Sequence, residues 1–346
     1  MQYNSDIKTE GLTFSMNTTG YRDDLQILLS LAADEGRGEI LFGECLDTAQ
    51  KILPDYLAGD LFPKIYLEFP LAGEPFLDAT LVYGPMPDSE EDNMLKWVSD
   101  KAKTHKGICC GYELDLKDGG SRRPAIHFQP RKSIELVEPF FSIISEEDKA
   151  SLYLTMTERL PKSWQPAMLG LFRGRPGSPL RVCGYLQRDE IDECIKDKER
   201  IVKVFRDAEF KAYDGTVIEQ FDSLMSVLPD IAGYQFDIYP DGSLGDSFAI
   251  DLHFPVMRPG ETRVFFESGD GAGLTDLLSK WGIVDQRFDK VWDMAFSGAV
   301  PLQDGLHAYV LRPDWLKVRW TAGKLQRSKM YVLAQAGLIK YSVNNG

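Results

Sequence analysis

The stretch GYQFDIYPDGSLGDSFAIDLHFP, residues 233–255, decides the fold. On either side of Pro240-Asp241-Gly242, polar and apolar residues alternate with the two-residue period of a half-buried strand, and the Pro-Asp-Gly triplet supplies the turn. It reads as an antiparallel β-hairpin. The same design recurs at intervals of about 45 to 85 residues. Upstream are PKIYLEFP–LAGEP–FLDATLVYG (63–84), CGYELDLKDGGSRRPAIHFQP (110–130) and MLGLFRGRPGSPLRVCGYL (168–186); downstream is WLKVRWTAGKLQRSKMYVLAQ (315–335). The breaks fall at Gly73, at Asp118-Gly119-Gly120, at Gly174, Pro176 and Gly177, and at Gly323, residues suited to tight reversals. Five hairpins make ten strands.

Between the hairpins the period changes to that of a helix. YRDDLQILLSLAADEG precedes the first, DNMLKWVSDKAKTH the second and SEEDKASLYLTMTERL the third. RDEIDECIKDKERIVKVFRDA and TVIEQFDSLMSVL are read as two helices before the fourth; GAGLTDLLSKWG and a run near Asp285 to Phe296 precede the fifth. Helices thus alternate with antiparallel hairpins rather than with single strands, so a parallel Rossmann or TIM arrangement does not follow. The economical way to bury five hairpins and remove their edges is to close them into one barrel with helices outside. The expected architecture is α+β: one domain over residues 1–346, a ten-stranded antiparallel β-barrel of five αββα repeats.

Composition narrows the function. The 346 residues are 43 % apolar and 27 % charged, which excludes disorder and collagen-like structure. A net charge of −14 repels phosphate backbones and anionic membrane surfaces, so neither nucleic acid nor membrane is an expected partner. Five cysteines (Cys45, Cys109, Cys110, Cys183, Cys194), odd in number and without CxxC spacing, read as free thiols in a reducing, cytoplasmic setting. The opening MQYNSDIKTEGLTF lacks a basic region followed by an apolar core, so no export signal is expected.

The repeated unit resembles the ABBA, or PT-barrel, prenyltransferases: the fungal and bacterial indole and phenol enzymes and the cyanobactin peptide prenyltransferases. The resemblance spans roughly residues 20 to 340. It is carried by GYELDLKDGGSRRPAIHF, GYQFDIYPDGSLGDSFAIDLHF and the late K-x-Y strand in SKMYVLA. It implies a soluble transferase that moves a short allylic group, dimethylallyl or geranyl, from its diphosphate to an indole, a phenol or a peptide side chain. No cofactor is implied beyond Mg2+ accompanying the diphosphate, and no protein-bound metal.

Strand alternation selects the inward residues. In KIYLEF, Lys64, Tyr66 and Glu68 share one face; by the same phase Arg181, Cys183 and Tyr185, then Lys317 and Arg319, then Lys329 and Tyr331, point into the lumen. Allylic transfer passes through carbocation character while pyrophosphate leaves, so cations can hold the leaving group and tyrosine faces can shield the carbocation. The resemblance assigns diphosphate contacts to Lys64, Arg181, Lys317, Arg319 and Lys329, and shielding to Tyr66, Tyr185 and Tyr331. Glu68 is the first candidate for the base that takes the acceptor's proton.

The sequence departs from the family in its acid. Glu113, Asp115, Asp237 and Asp251 fall on the same inner face. Either they pair with the lumen cations, or the lumen receives something positively charged. A peptide-tailoring barrel acting on a cationic side chain through Glu68, Asp251 or His253 therefore stays open, as does a non-catalytic barrel that binds a hydrophobic ligand or a peptide. The D-x-H pair Asp251/His253 and His127 are weak metal signals; His105 and His307 carry no motif. Gly269-Asp270-Gly271-Ala272-Gly273 lacks G-x-G-x-x-G spacing and reads as a helix-entry loop. Cys109-Cys110 reads as a buried pair. No nucleophile elbow, zincin or kinase motif is present.

Overall fold

The computed structural model describes residues 12–14, 21–57, 63–83, 93–117, 123–131, 133–210, 215–227, 231–302 and 305–341. Ten strands make the central sheet: β1 (Lys64–Pro70), β2 (Asp78–Tyr83), β3 (Cys109–Asp115), β4 (Ala125–Gln129), β5 (Pro166–Leu171), β6 (Leu180–Gln187), β7 (Ile231–Ile238), β8 (Leu244–His253), β9 (Gly305–Thr321) and β10 (Lys329–Tyr341). Each pairs antiparallel with its neighbours, and β10 pairs with both β9 and β1, so the ring closes without an edge. The five expected hairpins are the staves of this barrel, with helices outside. The turn expected at Asp118-Gly119-Gly120 lies outside the described residues.

Because the strands alternate in direction, all five connections within hairpins leave from one end of the barrel, here the turn end, and all helical connections leave from the other, the helix end. Two turns show why glycine stands in them. Gly242 and Gly323 have φ of +80° and +72°, a left-handed backbone that a side chain resists. The seam beside β1 and β10 is stitched at the turn end by residues 283–287. Asp285 N–H donates to Leu71 O at 2.7 Å, Ser328 N–H to Ile283 O at 3.1 Å, and the Arg287 guanidinium to Pro70 O at 3.3 Å.

The outward faces of the strands meet the helices in an aromatic-rich layer. Phe69 packs edge-on against Phe42 at 5.3 Å, Phe128 stacks on Phe140 at 4.1 Å, and Phe248 meets Phe205 at 4.8 Å between ring centres. This layer is the apolar core, and it fixes the register: a one-residue slip would turn Phe69 inward and Glu68 out onto the helices.

The structure differs from the sequence reading in three respects, two in the helices and one in the last hairpin. The run RDEIDECIKDKERIVKVFRDA is two helices, Arg188–Lys196 and Lys198–Asp207, because Asp197 leaves helical geometry (φ −134°, ψ 95°) and its carboxylate accepts the Glu199 N–H at 3.1 Å as a cap. Helices also form at Arg37–Phe42, Cys45–Ile52, Val137–Ile143 and Pro259–Ser268, segments of 6 to 10 residues in which the helical period barely repeats. The last hairpin is longer than its motif. Beyond the barrel, β9 and β10 continue as a ribbon flanked by Phe296–Leu302 and Leu12–Phe14, and Asp24 of helix Tyr21–Ala33 accepts the Tyr309 hydroxyl at 2.6 Å with His307 Nδ1 at 2.8 Å. The Gly269–Gly273 segment leads into helix Ala272–Lys280, as an entry loop should. All five cysteines lie among the described residues, and none of them is in a disulfide.

Candidate active site in the barrel lumen

Residues two apart on each strand gather in the lumen, in three levels. At the helix end, Tyr66 lies 4.4 Å from Trp315, which stacks on Tyr331 at 4.5 Å with planes 18° apart; His253 sits 5.6 Å from both Trp315 and Tyr185. A β-bulge between Pro313 and Trp315 resets the phase of β9, so that Trp315, Lys317 and Arg319 all point inward. Burial raises the Tyr185 hydroxyl to about 12 and keeps the His253 imidazole below its ordinary pKa, hence neutral.

The middle level is a hydrogen-bonded chain. Lys317, only 4 % exposed, donates to the Tyr331 hydroxyl and lies 4.5 Å from the centre of that ring. Tyr331 bonds in turn to Glu68, and Lys329 Nζ donates to Glu68 Oε1 at 2.6 Å. Burial would push the Glu68 carboxyl up, but Lys329 and Lys317 outweigh it and hold it at about 2. Lys317 itself is pulled down by burial, against the opposing pull of Glu68 and Asp251.

The turn end is ionic. Lys329 also reaches Asp78 at 3.4 Å; Arg175 bonds Glu113 and Asp115, each at 2.7 Å; Arg181 holds Asp237 through two bonds at 2.8 and 3.1 Å. Both guanidinium groups lie over the Phe172 ring, at 4.0 and 4.1 Å. Arg319 borders a space of about 10 Å³ shared with Arg181, Gln235 and Asp237. Asp78 faces Glu68 and Asp115 directly across its two neighbouring strands. Burial, with Glu68, Asp115 and Glu113 adding to it against Lys329, pushes Asp78 up to about 7. Glu113, Asp115 and Asp237 therefore pair with lumen cations, the first of the two outcomes that the sequence left open, whereas Asp251 makes no ion pair among the described residues.

The structure brings together Arg181, Lys317, Arg319 and Lys329, with Glu68 and Tyr331 beside them. Lys64 stands apart: it is exposed at the helix end of β1, six residues from the Pro70 that faces Lys329, a separation of roughly 20 Å along the strand. Tyr66 and Tyr185 lie in the aromatic level. His127 faces inward and is bound to Glu113 at 2.9 Å. The sequence reading passed over four residues. Trp315 and Asp78 were accessible from alternation, Trp315 being in phase with Lys317 and Asp78 with Thr80, which lies opposite the inward Tyr66; Arg175 and Phe172 sit at a turn, where no period marks a side chain's direction.

Among the described residues no group of three or more His, Cys, Asp or Glu is placed to hold a metal. The lumen carboxylates beside the cations are engaged by Lys329, Arg175 and Arg181, a set that does not suit a protein-held Mg2+. A second cavity, a groove of about 320 Å³ in the helix layer, is rimmed by Arg200 and Lys203, whose charges are matched there by Glu190 and Asp207. No described helix is long and apolar enough to cross a membrane.

A closed ring of five antiparallel hairpins inside a layer of helices is the ABBA, or PT-barrel, fold. A solved structure agrees on that fold. NotF, described in complex with brevianamide F and DMSPP, superposes over 93 % of this chain and 96 % of its own with a TM-score of 0.50 at 10 % identity. The 5-dimethylallyltryptophan synthase from Streptomyces coelicolor gives 94 % and 97 % coverage, a TM-score of 0.49 and 12 % identity; PriB in its binary complex with product diphosphate gives 92 % and 96 %, 0.47 and 12 %. No family model matches the chain, and no curated protein matches it in sequence.

Proposed function

We propose that this chain is a prenyltransferase that moves a dimethylallyl or geranyl group from its diphosphate to an electron-rich aromatic acceptor, an indole, a phenol or a side chain of a peptide. The observation that carries the reading is the continuous line of ring contacts Tyr66–Trp315–Tyr331 running down the lumen onto Lys317, with Lys329, Arg181 and Arg319 beyond it. An allylic diphosphate has the same polarity: an apolar group that develops positive charge at one end, and an anion at the other. NotF, which shares the fold, is described in complex with brevianamide F and DMSPP.

The diphosphate lies at the turn end on Lys317, Arg319, Lys329 and Arg181, and the allyl chain lies along the aromatic stack. The C1–O bond breaks and its electron pair leaves with pyrophosphate, whose charge the cations stabilise. The aromatic faces stabilise the allyl cation while a ring carbon of the acceptor forms the new C–C bond. The proton from that carbon passes to Glu68. With Lys329 held on it the Glu68 carboxylate is a feeble base; once the diphosphate takes Lys329, Glu68 loses its counter-ion and its basicity rises. Mg2+, where it takes part, arrives with the donor. The test is incubation with dimethylallyl and geranyl diphosphates against a panel of indoles, phenols and Trp- or Tyr-containing peptides, read by mass spectrometry. Acceptor mass increased by one prenyl unit is the expected result. Donor and acceptor binding without turnover for any pair would favour the non-catalytic barrel.

A further inference from the structure

Asp251 is the one lumen carboxylate that makes no ion pair among the described residues. Glu68 and Asp78 share Lys329, Glu113 and Asp115 share Arg175, and Asp237 holds Arg181. Asp251 is 7 % exposed, and its Oδ2 accepts from the Gln235 side-chain amide, while its Oδ1 is buried without a hydrogen-bond partner. Gln235 is also 7 % exposed, and its Oε1 is likewise buried and unpartnered. Two acceptor atoms, one of them charged, thus stand side by side in the lumen without a donor. Buried acceptors of this kind cost free energy, and only a donor recovers it. Lys317 lies directly opposite Asp251 on β9 but spends its ammonium on the Tyr331 hydroxyl.

The surroundings suit a cation. Tyr185, Gly233 and Asp251 are cross-strand partners in a single row. The missing side chain at Gly233 leaves room that Asp251 and His253 use, since a Cβ there would lie 3.1 Å from Asp251 Cβ and 3.3 Å from His253 Nε2. Tyr185, His253 and Trp315 form walls above the row, with 5.6 Å between successive ring centres. A carboxylate and a carbonyl oxygen beneath aromatic faces are the recognition chemistry of an alkylammonium group: strong acceptors for its N–H bonds and π-faces for its charge.

We propose that Asp251 and Gln235 bind the protonated amine of the acceptor, so that the lumen selects aromatic acceptors carrying an ammonium over their neutral counterparts. The inference rests on the transferase reading for the word acceptor, but its test does not require turnover. Tryptamine and N-acetyltryptamine are titrated calorimetrically into the wild-type protein, into Asp251→Asn and into Gln235→Met, with circular dichroism to check folding. Dimethylallyl thiolodiphosphate is titrated separately into each. The wild-type protein is expected to prefer tryptamine by about 10- to 100-fold, the worth of a buried hydrogen bond to a charged group. Asp251→Asn should abolish the preference, and Gln235→Met should reduce it by a smaller factor. Asp251→Asn should still bind the thiolodiphosphate at least as tightly, having lost a negative charge from beside Lys317. Equal binding of the two amines by the wild-type protein, or a preference kept by both variants, overturns the ammonium site and leaves the transferase reading intact. A preference lost in Asp251→Asn, in a protein that binds no donor analogue, upholds the site and removes the transferase reading instead.

Discussion

The two ends of one lumen are built by opposite means. At the turn end Lys329, Arg175 and Arg181 are matched to five carboxylates, and side chains are fixed by charge-assisted hydrogen bonds of 2.6 to 3.4 Å. At the helix end Tyr66, Trp315, Tyr185 and His253 hold one another by ring contacts of 4.4 to 5.6 Å. The difference shows how a barrel stores cations for an anionic ligand. Unpaired, they would repel one another in low dielectric; paired with carboxylates, they stay buried, oriented and exchangeable. The aromatic end needs no such partners, and can change its neighbours at little electrostatic cost.

The largest effect should come from breaking a pair at the ionic end. Arg181→Ala leaves Asp237 buried without its cation and should lower stability by about 3–5 kcal/mol, seen as a large fall in Tm. The double variant Arg181→Met/Asp237→Leu should recover most of that loss, and an unrecovered Tm would contradict the pairing argument. At the aromatic end, Trp315→Leu should lower kcat by about 10- to 30-fold through lost carbocation shielding, with the affinity for a donor analogue nearly unchanged. Equal loss in both quantities would merge the two ends into one site.

A smaller effect is expected from Asp78. Its folded pKa of about 7 lies above the ordinary carboxylate value of about 4, so its protonation favours the folded state. That contribution is fully present below the ordinary pKa and is lost as pH rises through 7. Protonation also leaves Lys329 with only Glu68 to satisfy, which favours donor binding. The wild-type protein is therefore expected to gain both stability and donor affinity between pH 8 and 6, and Asp78→Asn should flatten that rise. Glu68, Glu113, Asp115 and Lys329 surround the same point and set its baseline. The smallest effect belongs to Lys64→Ala, less than about threefold on donor binding, because an exposed lysine at the far end contributes little.

The fold was largely legible because hairpins announce themselves locally: alternation sets the strand faces and Pro-Asp-Gly or Ala-Gly sets the reversal. Closure followed from the number of edges left to cover. The short helices were not legible, since Arg37–Phe42 spans fewer than two helical turns. Within the site, the inward phase of Arg181, Lys317, Arg319, Lys329 and Tyr331 was readable from period two. What that period cannot supply is height along the barrel axis, and this is why Lys64 was grouped with cations from which it is separated by the length of β1. Nor can it show which charges meet. The Arg175 bonds to Glu113 and Asp115 join residues about 60 positions apart, through a turn whose conformation alone aims the guanidinium.

The most direct test of the account is calorimetric titration of the wild-type protein, Lys329→Ala, Arg319→Ala and Lys64→Ala with dimethylallyl thiolodiphosphate, using inorganic pyrophosphate as the comparison ligand. The expected result is tighter binding of the thiolodiphosphate than of pyrophosphate, at least a tenfold loss in Lys329→Ala and Arg319→Ala, and near-wild-type affinity in Lys64→Ala. Absence of binding, or a loss in Lys64→Ala as large as in Lys329→Ala, would contradict an allylic diphosphate seated with its anion at the turn end.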